Sequence, residues 1–264
     1  MKHVVQFSGG IGSWAAAKVV AQRHGVQDMI LLFADTLIEH EDTYRFLHEA
    51  AENIGAPLVK VADGRTPFEV YRDERFLGNS RVDPCSKFLK RKVLDRWKSE
   101  NCDPADTVLY FGIHWSESDR FATIQRRMQG WTCAAPLCEP PLIGMADLHA
   151  WAKREGLRRQ FLYEIGMPHA NCGGGCCKMG QAGWVNAYRF NRPVFDEWRD
   201  MEQDMRAHLG ADVSMMKDRR GGETKPLTLL DLQQRIESGL QVDMFDWGGC
   251  ACFAGSDDDI EAAA

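Results

Sequence analysis

Val4-Val5-Gln6-Phe7-Ser8-Gly9-Gly10-Ile11-Gly12-Ser13-Trp14-Ala15-Ala16-Ala17-Lys18-Val19-Val20 is the stretch on which the fold turns. Its first four residues read as a buried strand, and the run from Trp14 reads as a helix. Between them sits a glycine-rich turn. Glycine there lets backbone N–H groups come close to an anion, the start of the helix adds partial positive charge, and Ser8 and Ser13 add hydroxyl donors. A tight turn uses the same residues for steric reasons alone, so the pattern needs support from further along. Two familiar phosphate-binding patterns are excluded: no Gly-x-Gly-x-x-Gly is present, and no Lys-Ser/Thr pair follows the glycines.

Working outward, Met29-Ile30-Leu31-Leu32-Phe33-Ala34 is a second strand that closes on Asp35-Thr36. Tyr44, Leu47, Ala51 and Ile54 then recur at helical spacing, with Gly55 as a stop. Leu58–Val61 and Thr107–Ile113 supply further strands. This alternation predicts right-handed crossovers and a parallel sheet, an α/β Rossmann-like fold with helices on both faces. Ligands of such sheets bind beyond the carboxyl ends of the strands, where Ser8 and Asp35 both fall. The reading places a nucleotide-binding domain at residues 1–165 and a mainly helical, cysteine-rich region at 166–255. An acidic tail, expected to be disordered, occupies 256–264.

Bulk composition narrows the classes. A chain of 264 residues with 44% hydrophobic and 27% charged residues is ordinary for a globular protein. No apolar run approaches the roughly 20 residues needed to span a bilayer, and Met1-Lys2-His3 enters a strand with no signal-peptide core. A cytoplasmic location and no membrane partner are expected. The net charge of −6 speaks against a broadly basic surface, though not against a local basic groove. Nine cysteines in a cytosolic chain point to metal or redox chemistry rather than to a disulfide framework.

Residues 64–84 read as a mobile polar loop. In the helix that follows, Leu89, Val93 and Trp97 recur every four residues and are expected to face the core, with Lys87, Lys90, Arg91 and Lys98 projecting elsewhere. Cys85 opens that helix, where a helix dipole lowers a thiol pKa. Leu229, Leu232, Ile236 and Leu240 form a helical run behind a Thr228-x-x-Asp231 cap. Five cysteines fall in two glycine-rich knots, Cys172-Gly-Gly-Gly-Cys176-Cys177 and Gly248-Gly249-Cys250-Ala251-Cys252. Glycines let a chain wrap a metal closely and direct N–H groups at sulfur. Four thiolates suit a [4Fe–4S] cluster, which is favoured, or a structural Zn²⁺. The expected ligands are Cys172, Cys176, Cys250 and Cys252, with Cys177 as an alternative. Cys102, Cys133 and Cys138 have no partner spacing.

Ser8-Gly9-Gly10-x-x-Ser13 resembles the PP-loop of the ATP pyrophosphatase and phosphoadenylylsulfate (PAPS) reductase superfamily. Asp35-Thr36, the Cys85…Leu89-Lys90 element, Gly112-Ile113-x-x-x-Glu117-Ser118-x-Arg120 and Leu162-Tyr163-Glu164-x-Gly166 resemble that family too. The two thiol knots resemble the cluster ligands of its iron–sulfur branch. The chain departs from true reductases in lacking a cysteine after Cys252 and in carrying Cys-x-Cys where they carry Cys-x-x-Cys. The resemblance implies nucleotide binding by Ser8, Gly9, Gly10, Gly12, Ser13, Asp35, Thr36, Gly112, Glu117 and Ser118. It implies catalytic roles for Arg120, Lys87 and Lys90, and for Cys85 if the reaction is reductive.

The implied activity is cleavage of ATP or a PAPS-type nucleotide at the α phosphate, in sulfur transfer or sulfonucleotide chemistry. Mg²⁺ is expected to bridge phosphate oxygens. A sulfur-donor or reductant protein and a nucleic-acid substrate are candidate partners, the latter through basic runs at 87–98 and Lys217–Arg220. The alternatives are sulfite-forming reduction of PAPS or adenylylsulfate, and a non-catalytic nucleotide module with structural zinc.

Overall fold

The structure is a computed structural model and describes residues 1–219 and 223–249. Five parallel strands, β1 (Lys2–Gln6), β2 (Met29–Asp35), β3 (Leu58–Ala62), β4 (Thr107–Phe111) and β5 (Thr132–Ala134), form one sheet in the order β3-β2-β1-β4-β5. β1 therefore lies between β2 and β4, and the chain reverses its direction of travel across the sheet there. That switch point opens a crevice above the carboxyl ends of β1 and β4.

Helix α1 (Ile11–His24) packs on one face with α2 (Glu41–Ile54) and α6 (Met145–Arg154). The opposite face is covered by α4 (Val93–Asn101) and α5 (Ser118–Arg127). Alternation along β1 sends Val5 and Phe7 to the first side and Val4 to the second.

A second core is built by α8 (Gln181–Phe190), α9 (Arg192–Leu209), the hairpin β6 (Met216–Asp218) and β7 (Lys225–Leu227), and α10 (Leu229–Glu237). Thr228 and Asp231 cap α10 reciprocally, as their spacing implies. Tyr71 and Leu77 also belong to this core. They come from the segment expected to be a mobile loop, which instead holds α3 (Pro67–Asp73), started by a Thr66/Glu69 capping box. Fully buried Tyr71 supplies the anchoring contact.

The basic segment also departs from expectation. Ser86–Lys92 is a π-helical turn that runs into α4. Its i→i+5 bonding rotates the residues that follow relative to a 3.6-residue repeat. Leu89 and Val93 are buried as expected, but so are Lys90, Arg91 and Lys98. No described helix is long and apolar enough to cross a membrane. Arg220, Cys250, Cys252 and the 256–264 tail lie outside the described residues.

Candidate nucleotide and thiol sites

Gly9 takes φ +76°, a conformation that favours glycine, and turns the chain from β1 into α1. Gly10 caps α1 with no side-chain hydrogen bond, and no acidic residue lies in the first turn. Amides at this helix start other than that of Ile11 are thus left for a ligand. The loop is braced from behind by a short helix, α7 (Phe161–Glu164), and the residue before it. Gln160 Nε2 donates to Gly9 O at 2.9 Å, and Ile11 N donates to Tyr163 Oη at 3.4 Å. Ser13 Oγ is turned inward to Gly10 O at 2.8 Å.

Gly12 and Gly112 let α1 and β4 meet backbone to backbone. A Cβ on Gly112 would sit 2.6 Å from Ser13 N and Cα.

Above this contact lies a cavity of about 270 Å³. Ser8, Gly10, Gly12, Ser13, Lys90, Gly112, Glu117 and Arg120 all line it. The remaining sequence-read positions, Gly9, Asp35, Thr36, Cys85, Lys87 and Ser118, are not among its lining residues. Asp35 instead accepts from Tyr44 Oη at 2.6 Å and Leu37 N at 2.9 Å. Thr36 Oγ1 donates to Glu39 Oε1 at 3.1 Å. Lys87 lies over the Phe88 ring. Arg120 Nη1 pairs with Glu117 Oε1 at 2.6 Å, the i,i+3 bond expected of this spacing, but its buried Nε has no hydrogen-bond partner among the described residues. Both residues still border the cavity, so the pair holds the guanidinium beside it.

The polar lining residues missed from sequence include Gln6 and Glu39. Burial raises the pKa of Glu39 most, while Lys90, Thr36 and the amides of Cys172 and Gly173 oppose it. Glu39 follows a strand end, as nucleotide-contacting acids do in related topologies, and that was the available signal. Gln6 sits within a strand run and gave none.

The first thiol knot adjoins this cavity. Lys90 Nζ lies 3.6 Å from Cys172 Sγ, and Lys90 also borders a small space lined by Cys85, Cys172 and Cys176. Tyr71 Oη donates to Cys85 Sγ at 3.2 Å. Cys177 is within hydrogen-bonding reach of Cys176 and Cys85, and those contacts, with burial, push its thiol well above the usual range. Seven cysteines among the described residues are free thiols. Cys85, Cys177 and Cys176 touch in a chain, and no three His, Cys, Asp or Glu side chains among the described residues form a ready metal site.

The second knot approaches the first. Met179 pairs with Gly248 in an antiparallel bridge, and Gly249 N donates to Lys178 O at 3.4 Å. A second cavity, about 60 Å³, is bounded by Cys172, Cys176, Gly248 and Gly249. Pro168, His169 and Asn171 line both cavities and form their common wall.

No protein-family model matches the chain, and no curated protein matches it. A solved structure does. The chain is similar to phosphoadenylyl-sulfate (PAPS) reductase from Candida auris, determined as a phosphate complex, at 15% identity. The match covers 63% of this chain and 79% of that one, with a TM-score of 0.45.

Proposed function

We propose that the chain is a PP-loop, PAPS reductase-like enzyme that binds ATP or a related adenylyl nucleotide and cleaves it at the α phosphate, in the service of sulfur transfer. The observation that carries this reading is the shared wall: an anion-ready loop and a group of thiols border adjoining cavities at the switch point of a parallel sheet. In the proposed reaction an acceptor oxygen attacks the α phosphorus, the bond to the β-phosphate oxygen breaks, and pyrophosphate leaves; a sulfide-level sulfur nucleophile then bonds to the activated acceptor atom, the bond from that atom to the oxygen breaks, and AMP leaves. The amides of the Ser8–Ser13 loop hold the departing pyrophosphate. Arg120 and Lys90 meet the negative charge that develops, acting by position and electrostatics rather than by covalent chemistry. Mg²⁺ brought in with the nucleotide would offset the negative charge of its phosphates.

The donor set fits a thiolate-bound metal. Cys172 and Cys176 border the second cavity, Cys177 touches Cys176, and the chain at Gly249 leads from that cavity into Cys250. Cys172, Cys176, Cys250 and Cys252 are the proposed ligands, with Cys177 as the alternative. An iron–sulfur cluster there supplies a site for binding sulfur beside the nucleotide. Zn²⁺ in the same ligands supplies structure only.

Sulfite-forming reduction is the weaker reading, because among the described residues no cysteine lines the nucleotide cavity.

The test is anaerobic purification with an iron, sulfide and zinc count, followed by incubation with ATP, Mg²⁺, inorganic sulfide and candidate acceptors, nucleic acid included. Pyrophosphate and AMP are expected. ADP with phosphate, or no ATP binding, overturns the proposal.

A further inference from the structure

Three residues that border the nucleotide cavity carry a buried polar atom with no hydrogen-bond partner among the described residues: Gln6 Nε2 and Arg120 Nε, both donors, and Glu39 Oε2, an acceptor. Gln6 is 6% exposed and Glu39 is 9% exposed. Buried polar atoms are nearly always satisfied, so three left open around one cavity ask what completes them. A hydroxyl group can donate to the carboxylate and accept from the amide, so it serves either atom. A phosphate oxygen can accept from Gln6 and Arg120 but offers Glu39 nothing.

Charge sharpens the choice. Glu39 faces Lys90, whose ammonium also approaches Cys172, so the carboxylate and ammonium largely cancel. Arg120 is tied to Glu117. A further dianion set beside Glu39 would meet no unshared cation there, since Lys90 and Arg120 already face carboxylates, and would bear the cost of desolvation in a buried cavity.

We propose that Glu39 and Gln6 read the ribose hydroxyls of the nucleotide, and that the site accepts ATP or adenylylsulfate while rejecting a nucleotide that carries a 3′-phosphate. The proposal rests on the nucleotide reading of the cavity and narrows it to one substrate class. Glu39 and Gln6 are binding residues for the ribose, distant in role from the loop that holds the other phosphates.

The experiment is calorimetric titration of the full-length protein with AMP, 2′-deoxy-AMP, 3′-deoxy-AMP and adenosine 3′,5′-bisphosphate, repeated on Glu39→Gln and Gln6→Leu. The readout is the ratio of Kd values within one protein, which a partly unfolded preparation does not alter. AMP should bind at least about tenfold more tightly than the bisphosphate, and at least one deoxy analogue should lose about tenfold, the scale of one hydrogen bond to a charged group. Glu39→Gln should bring AMP and the bisphosphate to within about threefold, and Gln6→Leu should weaken AMP relative to the deoxy analogues. Equal or tighter binding of the bisphosphate by the unaltered protein overturns the proposal, as do ratios unchanged in Glu39→Gln. If none of the four nucleotides binds, the nucleotide reading itself falls, and this inference with it.

Discussion

Lys90 Nζ and Cys172 Sγ lie 3.6 Å apart across a separation of 82 residues. Lys90 also borders the proposed nucleotide cavity and faces Glu39. One buried ammonium thus borders the proposed phosphate site, faces a carboxyl and approaches a thiol. It stands where the two parts of the proposed reaction meet.

Replacing that ammonium separates its contributions. Lys90→Met keeps length and apolar volume but removes the charge that would meet phosphate oxygens. Pyrophosphate release from ATP is expected to fall about 100-fold, the scale of losing one preorganised electrostatic contact. Lys90→Arg should recover part of the loss, because it keeps the charge at altered geometry. A Lys90→Met protein that releases pyrophosphate at the original rate would remove Lys90 from the chemistry.

Gly112 offers a test of the loop that spares every proposed contact side chain. Its added Cβ would fall 2.6 Å from Ser13 N and Cα and 2.7 Å from Gly12 C, all backbone atoms that cannot swing aside. β4 must then part from the start of α1. Gly112→Ala is expected to cost about 1–3 kcal/mol in urea unfolding, the usual range for overpacking. The affinity for ATP should fall at least about tenfold as the loop amides move. Unchanged ATP affinity in a destabilised protein would place the ligand away from this contact.

Much of this site is legible in the amino-acid sequence. The strand, the glycine turn and the helix at Val4–Val20 have one local reading, and the parallel order of the sheet follows from the alternation of elements. Arg120 and Lys90 could be named because their spacing belongs to recognisable patterns. The burial of Lys90 and Arg91 could not, since a π-helical turn breaks the repeat on which facing is judged. Asp35 is the more instructive difference. It ends β2 as expected, but Tyr44, one turn into the next helix, takes its carboxylate and leaves Glu39 at the cavity. Gln160 and Tyr163 support the loop from more than 150 residues away, a pairing that only tertiary structure reveals.

Glu202 makes a pH prediction in the second core. Its carboxylate accepts from Met215 N at 2.9 Å and Leu229 N at 2.6 Å, joining α9 to β6 and to the start of α10. Burial pushes its pKa up from 4.5 to about 7, against the pull of those two amides. Between these values the folded chain keeps a proton that the unfolded chain has released. This group's contribution to stability is therefore full below pH 4.5 and is lost as the pH rises to about 7. The slope is at most about 1.4 kcal/mol per pH unit. Glu202→Gln cannot titrate and should lack that part of the slope, while being less stable by about 1–2 kcal/mol for the hydrogen bond it loses. Urea midpoints at pH 5 and pH 7.5 measure both. Equal slopes in the two proteins would refute the assignment.

The last prediction concerns how the thiol knots are brought together, and it avoids every cysteine. Gly248 has φ +70°, and a Cβ there would lie 2.2 Å from Lys178 O and 2.5 Å from Gly180 N. The bridge between Met179 and Gly248 exists because the second knot has no side chain at that point. Gly248→Ala forces the strand carrying Gly249 away from Lys178, and with it the chain entering Cys250. If Cys250 and Cys252 complete a metal site begun by Cys172 and Cys176, metal per chain should fall by more than half in this variant. ATP affinity should stay within about twofold, because the loop at Ser8–Ser13 is untouched. Iron, sulfide and zinc counts beside a nucleotide titration read the two quantities separately. Full metal content in Gly248→Ala would mean that the second knot is not needed to hold the metal, and the ligands would then have to come from the thiols of the first knot and Cys85.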